Sequence, residues 1–305
     1  MGCQNRSRRT AVQTAKNVLE GYFMKPNEHT GMLSAFRPPL CFELTGKELY
    51  MDFDDGYDRT VTFKDRKVLS FGLVGEEKEF PYECMKIADK CYYVNFEDPT
   101  MTPRTAITLV LDLQTDLVTL ALGYVGTNPK FPGIPSIDYV FGAIRRADGT
   151  FSRTRHGYTT DLMGKAISWN YGYFDIAHVY ATEHYYRVTF SARGLARVYK
   201  GRPDMRSGST QTRYTEPGDT YEDYCSPIKI RDHIYLACIL ETVKARVIGN
   251  GNSMLILMNL DEMHDVGRSF GSNREGGTGN NTLGAFGVYV DATEVLAKKS
   301  SLFIR

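Results

Sequence analysis

The chain repeats itself, in order. Leu44-Thr45-Gly46-Lys47, followed by alternating apolar and polar residues, returns as Leu162-Met163-Gly164-Lys165 with a similar run behind it. Tyr82 to Phe96 and Tyr224 to Ile239 then share a Lys-Ile step (Lys86-Ile87, Lys229-Ile230), an acid (Asp89, Asp232) and an aromatic residue (Tyr92, Tyr235) at matching places. Strand-rich units repeated in unchanged order fold most simply as a duplicated β-module. The expected layout is an N-terminal arm over residues 1–39, a first β-module over 40–150 that ends in a linker, and a second over 151–305.

Periodicity supports a mainly β chain. Apolar residues at Ala11, Ala15, Val18, Leu19 and Phe23 fit one stripe of a short N-terminal helix before Arg37-Pro38-Pro39 breaks it, and from Phe42 the period becomes two. Asp54-Asp55-Gly56 reads as a turn, and Thr105 to Leu113 with Leu117 to Tyr124 reads as a hairpin about Gln114-Thr115-Asp116. Gly126 to Gly149, with Pro129, Pro132 and Pro135, reads as an extended linker between the modules. The second module carries a polar insertion, Lys200 to Asp223, and a glycine-rich loop, Asn273 to Asn281, that lacks the Lys-Ser/Thr step of a phosphate loop.

Composition removes several classes of function. The net charge is +1 with both signs interspersed, so no basic footprint for nucleic acid is present. Cys3, Cys41, Cys84, Cys91, Cys225 and Cys238 form no CxxC pair, which favours free thiols and a cytoplasmic setting. No apolar run is long enough to span a bilayer. Met1-Gly2-Cys3 resembles an acylation start, but Arg6 stands where the myristoylation pattern needs Ser or Thr. The histidines are scattered, and His178 with His184 lacks the spacing and third ligand of a metal site. No dinucleotide, kinase or nucleophile-elbow signature appears, so the expected cofactor is none.

Two segments carry candidate chemistry. Read as one strand, Ser168 to Tyr180 places Trp169, Tyr171, Tyr173 and Asp175 on one face and His178 and Tyr180 on the other. That wall is either ligand-facing or an aromatic core ladder with Asp175 at its rim. In Ile234 to Glu241, Tyr235, Ala237, Ile239 and Glu241 share a face, as Tyr92, Val94, Phe96 and Asp98 do in the first module. A partly desolvated carboxylate near a tyrosine hydroxyl can exchange a proton with a bound substrate, whereas an acid that merely ends its strand in water does not.

The segments Leu44 to Gly56, Tyr82 to Phe96, Arg104 to Thr115, the FDIAHVY run ending at Tyr180, and Ile234 to Glu241 resemble the molybdenum cofactor biosynthesis protein F (MoaF)-like family. The resemblance implies two tandem lipocalin-type (calycin) antiparallel β-barrels, and the layout of the second module is similar to that of phenolic acid decarboxylases. The resulting expectation is a cofactor-independent enzyme that encloses a hydrophobic or aromatic molecule and promotes a cyclisation, isomerisation or decarboxylation. Glu241, Asp175 and His178 are its acid–base candidates, and Trp169, Tyr171, Tyr173, Tyr180 and Tyr235 its binding residues. The alternatives are a non-catalytic carrier or sensor with the same barrel, and an interaction module with filled barrels. The expected partner is a small molecule, with a homodimer as a further option, and neither nucleic acid nor a membrane span.

Overall fold

A computed structural model of the chain describes residues 34–127, 130, 133–172, 175–190, 220–242, 251–272 and 278–297. Eight antiparallel strands close the first barrel: β1 (Glu48–Phe53), β2 (Arg59–Phe63), β3 (Val68–Leu73), β4 (Lys78–Ala88), β5 (Cys91–Asp98), β6 (Thr105–Asp112), β7 (Leu117–Val125) and β8 (Pro135–Ile144). After the short β9 (Gly157–Tyr158), a second barrel is built from β10 (Ala166–Asn170), β11 (Asp175–Tyr180), β12 (Tyr185–Phe190), β13 (Thr220–Arg231), β14 (Ile234–Leu240), β15 (Asn252–Asn259), β16 (His264–Ser272), β17 (Thr278–Leu283) and β18 (Phe286–Tyr289). Pairing of β12 with β13 closes it as a ring of eight, with β9 beside β13 and β17 beside β16. Closure satisfies the backbone groups that an open sheet would leave at its edges.

The duplication is structural down to single residues. Leu44 and Leu162 are both buried, Gly46 and Gly164 both take left-handed backbone (φ 79° and 77°), and each glycine amide donates to the end of the second strand, Phe63 O or Tyr180 O. Register shifts fall at Lys86/Ala88 and at Lys229/Arg231, followed by left-handed Lys90 and His233. In each copy the repeated lysine and tyrosine close on an acid just ahead of the Leu-x-Gly-Lys turn. Lys86 and the Tyr92 hydroxyl donate to Glu43, and Lys229 and the Tyr235 hydroxyl reach Asp161. Each acid titrates below its ordinary range because its lysine donates to it.

The segment read as a linker contains β8, which pairs with β7 and β1 and completes the first barrel. Pro135 stands at its first position, where the missing N–H is tolerated. The proposed N-terminal helix lies outside the described residues, as does all of the polar insertion before Thr220. A five-residue helix, α1 (Ala292–Leu296), is capped by the Asp291 carboxylate, which accepts from the Thr293 amide, and packs Val295 against Ala166 and Val179.

The barrels lie side by side. Met85, Tyr93, Val110 and Ala121 from the outer wall of the first share an apolar cluster with Leu236, Cys238, Leu255, Leu257 and Val266 of the second. The Tyr93 hydroxyl donates to Leu255 O at 2.9 Å, and Arg268 Nε to Thr108 Oγ1 at 2.9 Å. Strands in this seam are buried on both faces, so their sequences lose simple alternation. Residues 34–41 form a strap across both units: Arg37 donates to Glu83 and Thr282, His264 Nε2 meets Phe36 O at 2.9 Å, and Cys41 N donates to Cys84 O at 2.8 Å.

Candidate functional site

Because strand registers match all the way round both rings, each lumen residue of one barrel has a counterpart in the other. Lumen positions filled by Phe53, Val61, Phe63, Leu69 and Val118 in the first barrel hold Tyr171, His178, Tyr180, Tyr186 and Asp265 in the second. All five exchanges introduce a polar group. A second set runs along the wall from β12 to β16, where Phe71, Phe80, Tyr82, Val94, Phe96 and Leu120 become Val188, Asp223, Cys225, Ala237, Ile239 and Gly267. Every one of these exchanges removes side-chain volume. In the first barrel Phe71 and Phe80 pack on Phe96 with ring centroids 5.3 Å apart, an aromatic plug whose register equivalents among the described residues of the second barrel, Val188, Asp223 and Ile239, carry no ring.

Gly267 explains part of that wall. A Cβ there would sit 2.5 Å from Leu255 O, so the close approach of β15 and β16 requires glycine. Gly267→Ala is expected to destabilise the protein by roughly 1–3 kcal/mol through overpacking against backbone, as read from denaturant unfolding. A stability equal to wild type would show that the strands separate freely.

Asp265 is the centre of the polar set. It is fully buried; its Oδ1 accepts from the Ala285 amide at 2.6 Å and its Oδ2 from the Tyr171 hydroxyl at 3.3 Å. The Asp265 amide donates to Ala285 O at 2.9 Å, but the return donor of that pair goes to the side chain. The carboxyl thus breaks the ladder at the point where β17 stops and β18 begins, although both hold one register against β16. Burial pushes the Asp265 carboxyl up to about 8, against the lowering pull of the Ala285 amide and Tyr171 hydroxyl. Burial, then the Asp265 charge, hold the Tyr171 phenol well above its ordinary value. Among the described residues, the Tyr180 hydroxyl donates to the weak acceptor Met258 Sδ, at 3.2 Å. His178 is buried edge-on to Tyr186, its Nδ1 has no hydrogen-bond partner among the described residues, and burial lowers it to about 3. At neutral pH these groups therefore present an acid, phenols and an imidazole, all uncharged.

The proposed single strand from Ser168 to Tyr180 is in fact a hairpin. Asn170 pairs with Asp175 and Trp169 with Ile176 across a turn that contains left-handed Gly172. The reversal inverts the expected facing. Trp169, Tyr171 and Tyr180 belong to the lumen cluster and His178 shares their side, whereas Asp175 is carried, with Asn170, to the outer face. Tyr173 lies outside the described residues. Tyr235 borders the lumen but commits its hydroxyl to Asp161 at 3.2 Å. Glu241 is buried, and its Oε2 accepts from both the amide and the side-chain Nδ2 of Asn252, at 3.0 and 3.1 Å. Its counterpart Asp98 is also buried and is tied to Thr100. Asp265 was not singled out from the sequence, although the equal spacing of Asp112 to Val118 and Asn259 to Asp265 identifies it once the copies are aligned residue by residue.

Among the described residues, no group of three His, Cys, Asp or Glu side chains is placed to hold a metal, and no helix is long and apolar enough to cross a membrane. Residues 29–126, about a third of the chain, match the MoaF N-terminal domain family. The first barrel is thus MoaF-like, and a pair of closed eight-stranded antiparallel barrels fits the lipocalin-like fold. No curated protein matches the chain.

Proposed function

We propose that the second barrel binds an organic small molecule, largely apolar or aromatic, and promotes a proton-transfer rearrangement of it without a cofactor: a cyclisation, isomerisation or decarboxylation. One observation carries this reading. Within a single chain, one lumen is filled by apolar side chains while its twin gains polar groups at six positions, Asp223 among them, and loses bulk at six. A pocket of apolar walls with a few convergent polar groups and a strongly perturbed acid is the usual form of a small-molecule site. In this reading Asp265 supplies the proton, because its acid form persists near neutral pH. Tyr171 and Tyr180 orient the ligand, His178 accepts a hydrogen bond from it, and Trp169 forms an aromatic wall. Enclosure contributes by holding a reactive conformer. Glu241 serves the mouth of the barrel, since Asn252 already occupies one of its oxygens, and Asp175 faces away.

The carrier reading rests on the same lumen and differs only in turnover. Native mass spectrometry with candidate aromatic ligands separates the two: an unchanged ligand mass retained on the protein indicates a carrier, and a changed mass released indicates an enzyme. For a molecule that is turned over, Asp265→Asn is expected to lower kcat by about 10²–10⁴-fold, the usual worth of a positioned acid, with the ligand still bound. Undiminished turnover in that variant would remove Asp265 from the chemistry.

A further inference from the structure

Cys41 and Cys84 face each other across an antiparallel bridge. Leu40 pairs with Met85, which puts Cys41 directly opposite Cys84, and the Cys41 amide donates to Cys84 O at 2.8 Å. Directly opposed residues of a hydrogen-bonded antiparallel pair have Cα atoms about 5.5 Å apart and point their side chains to one side, which lies inside the range that a disulfide spans. The side is the same in fact as well as in principle: Cys84 belongs to the core of the first barrel, and Cys41 packs against that same core. Cys41 is half-buried, whereas Cys84 is buried.

We propose that Cys41 and Cys84 form an intramolecular disulfide site, oxidised by low-molecular-weight disulfides, that fastens the 34–41 strap to the first barrel. The Cys41 thiolate attacks the disulfide reagent and expels one reagent thiolate, leaving a mixed disulfide on Cys41. The Cys84 thiol loses its proton and attacks the Cys41 sulfur, which forms the Cys41–Cys84 bond and expels the second reagent thiol. Two protein thiols are oxidised and one reagent disulfide is reduced. Burial holds the Cys84 thiol well above its ordinary value, so Cys41 is the initiating group and resolution by Cys84 is the slower step. The strap so fixed also carries Phe36 and Arg37, which contact His264 and Thr282, and its backbone at Arg37 lies against Gly284, next to the Asp265–Ala285 break. The link therefore secures a segment shared by both barrels, and it holds whether or not the second barrel is an enzyme.

The test is incubation of the folded full-length protein with oxidised glutathione, alkylation of remaining thiols, and peptide mass spectrometry without reduction. The expected product is a species lighter by about 2 Da, the mass of two hydrogens lost in thiol–disulfide exchange, with the peptides containing Cys41 and Cys84 joined. Cys41→Ser, altered at the more exposed partner, loses that product, and Cys91→Ser keeps it. A stable mixed disulfide at Cys41 with Cys84 alkylatable after unfolding, a link from Cys41 to Cys3, or Cys41 and Cys84 both still alkylated in the oxidised wild type would each overturn the proposal.

Discussion

Asp265→Asn raises the stability of the protein at pH 8 and flattens its pH dependence between about 6.5 and 8.5. The wild-type carboxyl titrates near 8 in the fold and near 3.8 as an unperturbed group, so the folded state holds an extra proton between those two values and releases it around the upper one. Its contribution to stability is complete below the unfolded value and is lost as pH rises through the folded one, at about 1.4 kcal/mol per pH unit at most. His178 and His156 act in the opposite sense. Both are buried neutral, lowered to about 3 and about 4 by desolvation, so their contribution is present above 6.5 and is lost as pH falls. Wild type should be most stable near pH 6.5, with a fall on both sides. Asparagine keeps the shape and the acceptor for the Ala285 amide but cannot ionise, so the alkaline fall disappears and the fall on the acid side, no longer offset by Asp265, becomes steeper. Chemical unfolding of the two proteins across this pH range checks it. Parallel curves above pH 6.5 would mean that Asp265 is already ionised and solvated.

The second large effect concerns volume. Restoring the aromatic plug of the first barrel in the second, with Val188→Phe and Ile239→Phe together, abolishes ligand binding and leaves stability unchanged or higher. In a solidly packed core each added ring forces strain of about 1–3 kcal/mol, so the sign of the stability change reports whether space is there. The first barrel supplies the control: Phe96→Ala removes a ring that packs on Phe71 and Phe80 and should destabilise by about 3–5 kcal/mol. Fluorescence of Trp169, the only tryptophan of the chain, reports on the second lumen in the same samples. A double variant destabilised as much as Phe96→Ala would place the second lumen among filled cores.

The fold was legible in the sequence where the chain must satisfy local geometry twice. The Leu-x-Gly-Lys turn needs a left-handed glycine, the Lys and Tyr of each repeat close on Glu43 or Asp161, and the repeated Asp pairs with that Lys, so these residues recur visibly. Asp265 escaped notice because its strand inverts the usual signal. Val266, Arg268 and Phe270 lie on the outer parity, with Val266 in the seam between barrels, while Asp265 and Gly267 lie on the lumen parity, so the more apolar parity is the outer one. Hydropathy cannot mark a polar residue as interior. The hairpin at Tyr171 was hidden for a related reason, because Tyr-Gly-Tyr flanked by aromatic residues reads as continuous strand, whereas the chain reverses at a turn that holds the left-handed Gly172. Pro129 to Pro135 masked β8, whose closing role depends on partners far away in the chain.

Crystals pressurised with xenon test the central claim most directly, since xenon enters apolar cavities and is excluded from packed cores. Anomalous density is expected inside the second barrel between Val188, Ala237 and Ile239, and none between Phe71, Phe80 and Phe96. Xenon in neither lumen, or in the first barrel alone, would contradict the claim.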